Sequence, residues 1–177
     1  IQNHHISLGN ITSDGTLANL TALTLAMSKA FPADGKAFKG VRMEGLARAL
    51  DYYGYRQAVI LVSKRGHYSI CKAGTILGIG ENGVMHVPVH PYTNRIDLSK
   101  LAQIIEKTRK EDKAAGKPTK FISVVGIAGT TETGNVDDLG ELARVSREIG
   151  AHFHVDAAWG GGALIMDCGR GIMSGIE

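Results

Sequence analysis

Cysteine is scarce in this chain, and no long apolar run is present. Its two cysteines, Cys71 and Cys168, stand far apart with no CxxC spacing. That gives neither a disulfide framework nor a zinc knuckle, and each reads as a small buried or half-buried side chain. No stretch stays apolar for the roughly 20 residues that a membrane span requires, and no secretory leader pattern is present. The expected setting is therefore cytoplasmic, with no membrane partner. Nor is one sign of charge concentrated anywhere: 20 Lys and Arg are interleaved with 17 Asp and Glu, for a net charge of +3. Without a basic stripe, no nucleic-acid partner is expected. The remaining composition, 44% hydrophobic and 21% charged over 177 residues, suits one domain with a core of its own. The chain opens at Ile1 without Met and stops at Gly175-Ile176-Glu177 without a polar tail, so it reads as a piece of a longer protein.

The most informative stretch is His152-Phe153-His154-Val155-Asp156-Ala157-Ala158-Trp159-Gly160-Gly161-Gly162. Its first half alternates polar and apolar residues after a helix-like run ending at Ile149-Gly150, which predicts a strand entered from a helix. Asp156 then stands at the strand exit, where ligands bind in α/β proteins. The Ala and Gly residues after it permit close approach to the backbone. A carboxylate there can bind a metal, pair with a protonated ligand nitrogen, or cap a turn. Period-two spacing also puts His152, His154 and Asp156 on one strand face, as a metal site would.

The rest of the chain supplies comparable loops. Ser13-Asp14-Gly15-Thr16 opens a helix whose Leu17, Leu20 and Leu23-Leu25 suit burial. Such a start offers free N–H groups to a phosphate, or is simply an N-cap. Lys29 to Gly45, broken by Pro32, Gly35 and Gly40, reads as a surface excursion before a helix from about Glu44 to Tyr53. Ala58 to Ser63 is a continuous apolar run, expected of a strand covered on both faces. It leads into a loop carrying His67, and then a helix from Ile70 to Leu77. Gly78-Ile79-Gly80-Glu81-Asn82-Gly83 has the GxGxxG spacing, yet it follows a helix and precedes a strand at Val84 to Val89, the reverse of a dinucleotide loop. Asn94 or Asp97 opens a helix through Leu98, Leu101, Ile104 and Ile105, and Lys110 to Lys120 reads as a solvated linker. Phe121 to Ile127 is a second buried strand. It exits into Gly129-Thr130-Thr131, after which Asp137-Asp138 cap a helix over Leu139 to Ile149. Buried strands alternating with helices predict an α/β fold with a mostly parallel sheet, and the loops at Ser13, His67, Thr131 and Asp156 converge on one edge of it.

Four segments in this order, TSDGTLANLTAL from Thr12, Gly66-His67-Tyr68-Ser69, Gly129-Thr130-Thr131 and HFHVDAAWGGG from His152, resemble the pyridoxal-phosphate-dependent group II amino-acid decarboxylases. The resemblance implies the large domain of the aspartate-aminotransferase-like fold (fold type I) and a homodimer with its sites at the subunit interface. It implies catalytic roles for His67, Thr131 and Asp156, and pyridoxal 5'-phosphate binding by Gly15, Thr16, His67, Thr131, Asp156 and Ala158. Asp156 would pair with the pyridine nitrogen and make the ring an electron sink. His67 would stack on one face of the ring and Ala158 lie against the other, with Thr131 beside it and the phosphate held at Gly15 and Thr16. Asp14 brings negative charge to that loop, so its side chain is expected to turn away and cap the helix.

The family's Schiff-base lysine follows the Asp strand, whereas the last lysine here is Lys120. Residues 1–177 are accordingly expected to be one piece of the large domain, with the N-terminal segment, the lysine region and the small domain outside it and little or no turnover by itself. Lys64 and Lys72 flank His67 but match no family lysine. The implied reaction is decarboxylation of an L-amino acid to an amine and carbon dioxide. Trp159 before the glycines resembles the members acting on glutamate, aspartate or cysteine sulfinate. The rival readings are another fold-type I enzyme (aminotransferase, desulfurase or aldehyde-lyase) and a metal-dependent hydrolase built on His152, His154 and Asp156.

Overall fold

The computed structural model describes residues 9–176. Four strands form one sheet: β1 (Gln57–Ser63), β2 (Val84–Val87), β3 (Thr119–Ile127) and β4 (His152–Asp156). Their spatial order is β2-β1-β3-β4, and every neighbouring pair is parallel. Side chains alternate between the two faces of a strand, and both faces of β1 are covered. Ala58, Ile60 and Val62 pack under α1 (Gly15–Ala30), α2 (Val41–Tyr53) and α3 (Ser69–Ile76), with Leu23, Ala26, Ile70 and Ala73. Val59 and Leu61 face α4 (Leu98–Ala115) and α5 (Leu139–Glu148), with Leu101, Ile105 and Leu142. This double burial is why β1 and β3 read as unbroken apolar runs.

The strand order locates the crevice. From β1 the chain moves out to β2, crosses back over β1 to β3, and continues to β4. The direction of winding therefore reverses between β1 and β3, and the carboxyl ends flanking such a reversal are where open α/β sheets bind ligands.

Several local expectations hold and several change. Asp14 is the N-cap of α1, and its carboxylate accepts a hydrogen bond from the Leu17 N–H at 2.7 Å. The α1 stripe that meets the core is Asn19, Leu23 and Ala26, whereas Leu17 and Leu25 are 43% and 65% exposed. Of the leucine pattern, Leu23 is buried and Leu20 packs against the core, while Leu17 and Leu25 turn outward, because the helix buries positions i, i+4 and i+7 even when one of them is polar. The segment from Lys29 to Gly45 is not a surface excursion throughout. Phe31 and Phe38 are fully buried, and the Phe38 ring stacks on Tyr52 at 5.0 Å while Phe31 meets Tyr53 at 5.9 Å. The turn residues around them are exposed, but burying each of the two aromatic side chains contributes about 1.5–3 kcal/mol.

Helix α2 starts earlier than Glu44 and breaks at Gly45, whose φ of 80° lies outside helical space. Most of the charged stretch after Ile105 is helix, not linker. Helix α4 runs to Ala115 and ends at Gly116 in the left-handed conformation, its charges paired one turn apart as Glu106–Lys110 and Lys107–Glu111. The glycine-rich GxGxxG stretch leads from α3 through a short 3₁₀ turn at Glu81–Gly83 into β2, the context of a turn and not of a nucleotide loop. No helix among the described residues is long and apolar enough to cross a membrane. Ile1, Glu177 and the Cys168 side chain lie outside the described residues.

Candidate functional site

A cavity of about 280 Å³ opens at the carboxyl ends of the strands. Each wall has a distinct origin: the first turns of α1 (Gly15, Thr16, Asn19), the loop after β1 (Arg65, His67), the end of β3 and its loop (Ile127, Gly129 to Thr131), and the exit of β4 (Asp156, Ala158, Trp159). All six positions named from the sequence, Gly15, Thr16, His67, Thr131, Asp156 and Ala158, line this one cavity. Neither Lys64 nor Lys72 does, and the Lys72 Nζ lies 5.3 Å from the centre of the Tyr68 ring.

Small residues keep the walls together. A Cβ on Gly15 would come within 2.9 Å of the Ala158 Cβ, and one on Gly160 would come within 2.2 Å of the Ala128 carbonyl oxygen. At Gly129, φ is 96° and an added Cβ would meet Trp159 at 2.9 Å. Glycine is therefore required where α1, the β3 exit and the β4 exit close on one another.

The floor is a buried polar network. Asp156 is 8% exposed, and its Oδ2 accepts a hydrogen bond from the Asn19 amide at 2.9 Å while its Oδ1 accepts from the Ala158 N–H at 3.2 Å. The second Asn19 amide hydrogen goes to the Ser69 Oγ at 3.0 Å. Ser69 Oγ is in turn 2.9 Å from His67 Nδ1, which also accepts from the Ser69 N–H at 3.3 Å. On the other side, His154 Nε2 is 2.7 Å from the Asn19 Oδ1. Burial holds the His154 pKa down to about 4; the nearby Asp156 pulls it up and His152 pushes it further down. His154 is therefore neutral at pH 7.

The three residues of the metal reading are not gathered. His154 and Asp156 both spend an atom on Asn19, and His152 lines a different cavity with Lys29 and Lys120 at the start of the strand. Burial, then Lys29, lowers the His152 pKa. Among the described residues no three His, Cys, Asp or Glu side chains come together as a metal-binding set. The two aspartates at the head of α5 also divide their work. Asp138 caps the helix through the Glu141 N–H at 3.2 Å, but Asp137 is a buried brace that accepts from the Ile96 and Ile127 N–H groups at 2.7 and 2.9 Å. Burial raises its pKa, opposed by those two hydrogen bonds.

Residues 4–177 match the family model of the pyridoxal-dependent decarboxylase conserved domain. The chain belongs to this decarboxylase family. It is 44% identical over 171 residues to the aspartate 1-decarboxylase of Aliivibrio fischeri, covering 97% of this chain and 30% of that protein. To the L-2,4-diaminobutyrate decarboxylase of Acinetobacter baumannii it is 29% identical over 169 residues, covering 96% of this chain and 32% of the other. The crystal structure of the glutamate decarboxylase domain of diaminobutyrate-pyruvate transaminase and L-2,4-diaminobutyrate decarboxylase from Vibrio parahaemolyticus superposes with a TM-score of 0.73 at 33% identity, covering 93% of this chain and 32% of that one. This decarboxylase chain thus spans 30% to 32% of the length of these relatives. Its fold is part of the large domain of the aspartate-aminotransferase-like architecture, a parallel sheet flanked by helices.

Some members of the site had no role assigned from the sequence. Asn19, Arg65 and Thr130 lie on its walls, and Ser69 lies behind His67. For Asn19 a signal existed: it is the polar member of a stripe whose other members, Leu23 and Ala26, are buried and apolar. For Thr130, 3% exposed and 2.8 Å from the Thr133 hydroxyl, nothing in the sequence separated it from Thr131.

Proposed function

We propose that the protein containing this chain decarboxylates an L-amino acid with pyridoxal 5'-phosphate, that its substrate is acidic, and that it works as a homodimer. The observation that carries the reading is the joining of Asp156, His67 and the start of α1 around one cavity.

The residues fit the cofactor. The first-turn N–H groups of α1 at Gly15 and Thr16 have no intrahelical acceptor, and they stand at the positive end of a 16-residue helix, where a phosphate is favoured. Asp14 is not among the residues lining the cavity, and its carboxylate caps the helix through the Leu17 N–H. Gly15 and Ala158 are as small as the gap between them demands. When bound, the cofactor supplies a sink for the electron pair released as carbon dioxide leaves.

The chain's own side chains do the rest. Each carboxylate oxygen has two lone pairs, so Asp156 can hold a proton on a ring nitrogen while still accepting from Asn19 and Ala158. That favours the protonated ring by charge. His67 is anchored through Nδ1 to Ser69, which leaves Nε2 to carry the proton of the neutral ring. The imidazole face and this N–H are the groups available to the ring and to a substrate carboxylate.

Arg65 supports the acidic substrate. It is the sole Lys or Arg among the described residues lining the cavity, and a guanidinium matches a second carboxylate by a forked pair of hydrogen bonds. The 44% identity to an aspartate 1-decarboxylase agrees with this, while the 29% identity to a diaminobutyrate decarboxylase names the competing substrate. The test is carbon dioxide release by the full-length protein from aspartate, glutamate, cysteine sulfinate and 2,4-diaminobutyrate, with Arg65→Met beside the wild type. An acidic substrate is expected to be preferred, and Arg65→Met to raise its KM at least about tenfold, the loss of one charge-assisted contact. Preference for diaminobutyrate, or an unchanged KM in the variant, refutes the substrate assignment. Amino-group transfer without carbon dioxide refutes the decarboxylase reading.

A further inference from the structure

We propose that Asn19 is the positioning residue of this site, one amide that aims Asp156 directly and His67 through Ser69, so that the two groups respond as a unit. The inference rests on the cofactor reading above, in which both groups face the ring.

The amide has a single workable orientation. A carboxylate offers only acceptors, so the Asn19 NH₂ must face Asp156 Oδ2, 2.9 Å away. The carbonyl Oδ1 then faces His154 Nε2 at 2.7 Å, which makes that nitrogen the donor. Turning the amide over would set two oxygens against each other at the Asp156 contact. The remaining NH₂ hydrogen goes to Ser69 Oγ at 3.0 Å. Ser69, having accepted there, gives its own proton to His67 Nδ1 at 2.9 Å. The result is a directed chain: His154 to Asn19, Asn19 to Ser69, Ser69 to His67. A branch runs from Asn19 to Asp156.

Burial makes this order rigid. Asn19 is 3% exposed, Ser69 0% and Asp156 8%, and no buried side-chain polar atom among the described residues lacks a partner. In such surroundings each hydrogen bond polarises the next, and losing one leaves an unpaired group of high cost. The neutral state of His154 fits the same order, since one ring nitrogen donates to Asn19 and no charge is imposed on the amide.

The test compares the full-length protein with Asn19→Ala, Ser69→Ala and the double variant, reading pyridoxal phosphate affinity, the visible absorbance of the bound cofactor, and kcat and KM separately. Asn19→Ala is expected to weaken cofactor binding about tenfold or more, shift the absorbance, and lower kcat more than it raises KM. Ser69→Ala is expected to cost about threefold, and the double variant to match Asn19→Ala alone, because residues in one network are not additive. Leu23→Ala, on the same buried stripe, separates packing from positioning: it is expected to lower stability and leave cofactor affinity unchanged. If Asn19→Ala does not fold, Asn19→Ser, which keeps a hydroxyl in the buried pocket, is expected to show the same affinity loss. Wild-type affinity in whichever Asn19 variant folds, or a double variant equal to the product of the singles, overturns the inference while leaving the cofactor reading intact. A wild-type protein that binds no pyridoxal phosphate overturns both.

Discussion

Acidification should find His154 before it finds most of the fold. An ordinary histidine titrates at 6.5, and burial holds His154 to about 4, with Asp156 opposing and His152 assisting. Its pKa is lower in the folded chain than in the unfolded one, so between those values the unfolded state binds the extra proton. Stability is then fully present above pH 6.5 and drains away as the pH falls toward 4. Taking both pKa values, the loss between pH 7 and pH 5 is about 2 kcal/mol, roughly a twentyfold change in the folded-to-unfolded ratio. Other groups also titrate over this range, so the informative quantity is a difference. His154→Gln keeps a side-chain N–H able to donate to Asn19 but has no proton to gain. Denaturant unfolding of the full-length wild type and of His154→Gln at pH 7 and pH 5 should show the wild type losing about 2 kcal/mol more than the variant. Parallel losses in the two proteins would mean that His154 is not held neutral in the folded chain.

Other perturbations separate bracing from packing. Asp137→Ala strands the Ile96 and Ile127 N–H groups and should cost about 2–4 kcal/mol in denaturant unfolding, with Asp137→Asn, which keeps one acceptor oxygen, costing less. Gly160→Ala puts a Cβ 2.2 Å from the Ala128 carbonyl oxygen and should destabilise by about 1–3 kcal/mol or more. Gly162→Ala, with nothing within 4 Å of the added carbon, should be close to neutral in the same assay. Phe38→Ala, which empties a fully buried site in the aromatic cluster, should cost about 3–5 kcal/mol without changing the affinity of the distant cavity for pyridoxal phosphate.

What the sequence revealed, and what it hid, follows from how each residue is held. Strands β1 and β3 were legible because burial on both faces demands an unbroken apolar run, and the Asp14 cap was legible because capping depends on neighbours in sequence. The convergence of His67, Thr131 and Asp156 followed from a topological rule: loops after parallel strands share one edge of the sheet. Asn19 showed only as the polar member of an apolar stripe, and its role stayed unread because its partners, Ser69 and Asp156, lie 50 and 137 residues away. Asp137 was hidden for a similar reason. Beside Asp138 both look like caps, and only the approach of Ile96, 41 residues distant, turns one of them into a brace. Phe31 and Phe38 were masked by the glycine and proline around them, since turn residues describe the backbone path and not where a side chain between them points.

In the function proposed above, the charge of Asp156 makes this cavity a site for a protonated pyridine ring. The most direct measurement is a titration of the full-length wild type and Asp156→Asn with pyridoxal phosphate, followed by visible absorbance and carbon dioxide release. The amide keeps the shape and removes the charge, worth about 1–3 pKa units at the ring nitrogen. Expected are a visible cofactor band in the wild type, weaker binding and a band altered at the same pH in Asp156→Asn, and turnover lower by about tenfold to a thousandfold. An Asp156→Asn protein with wild-type affinity, spectrum and turnover would contradict it.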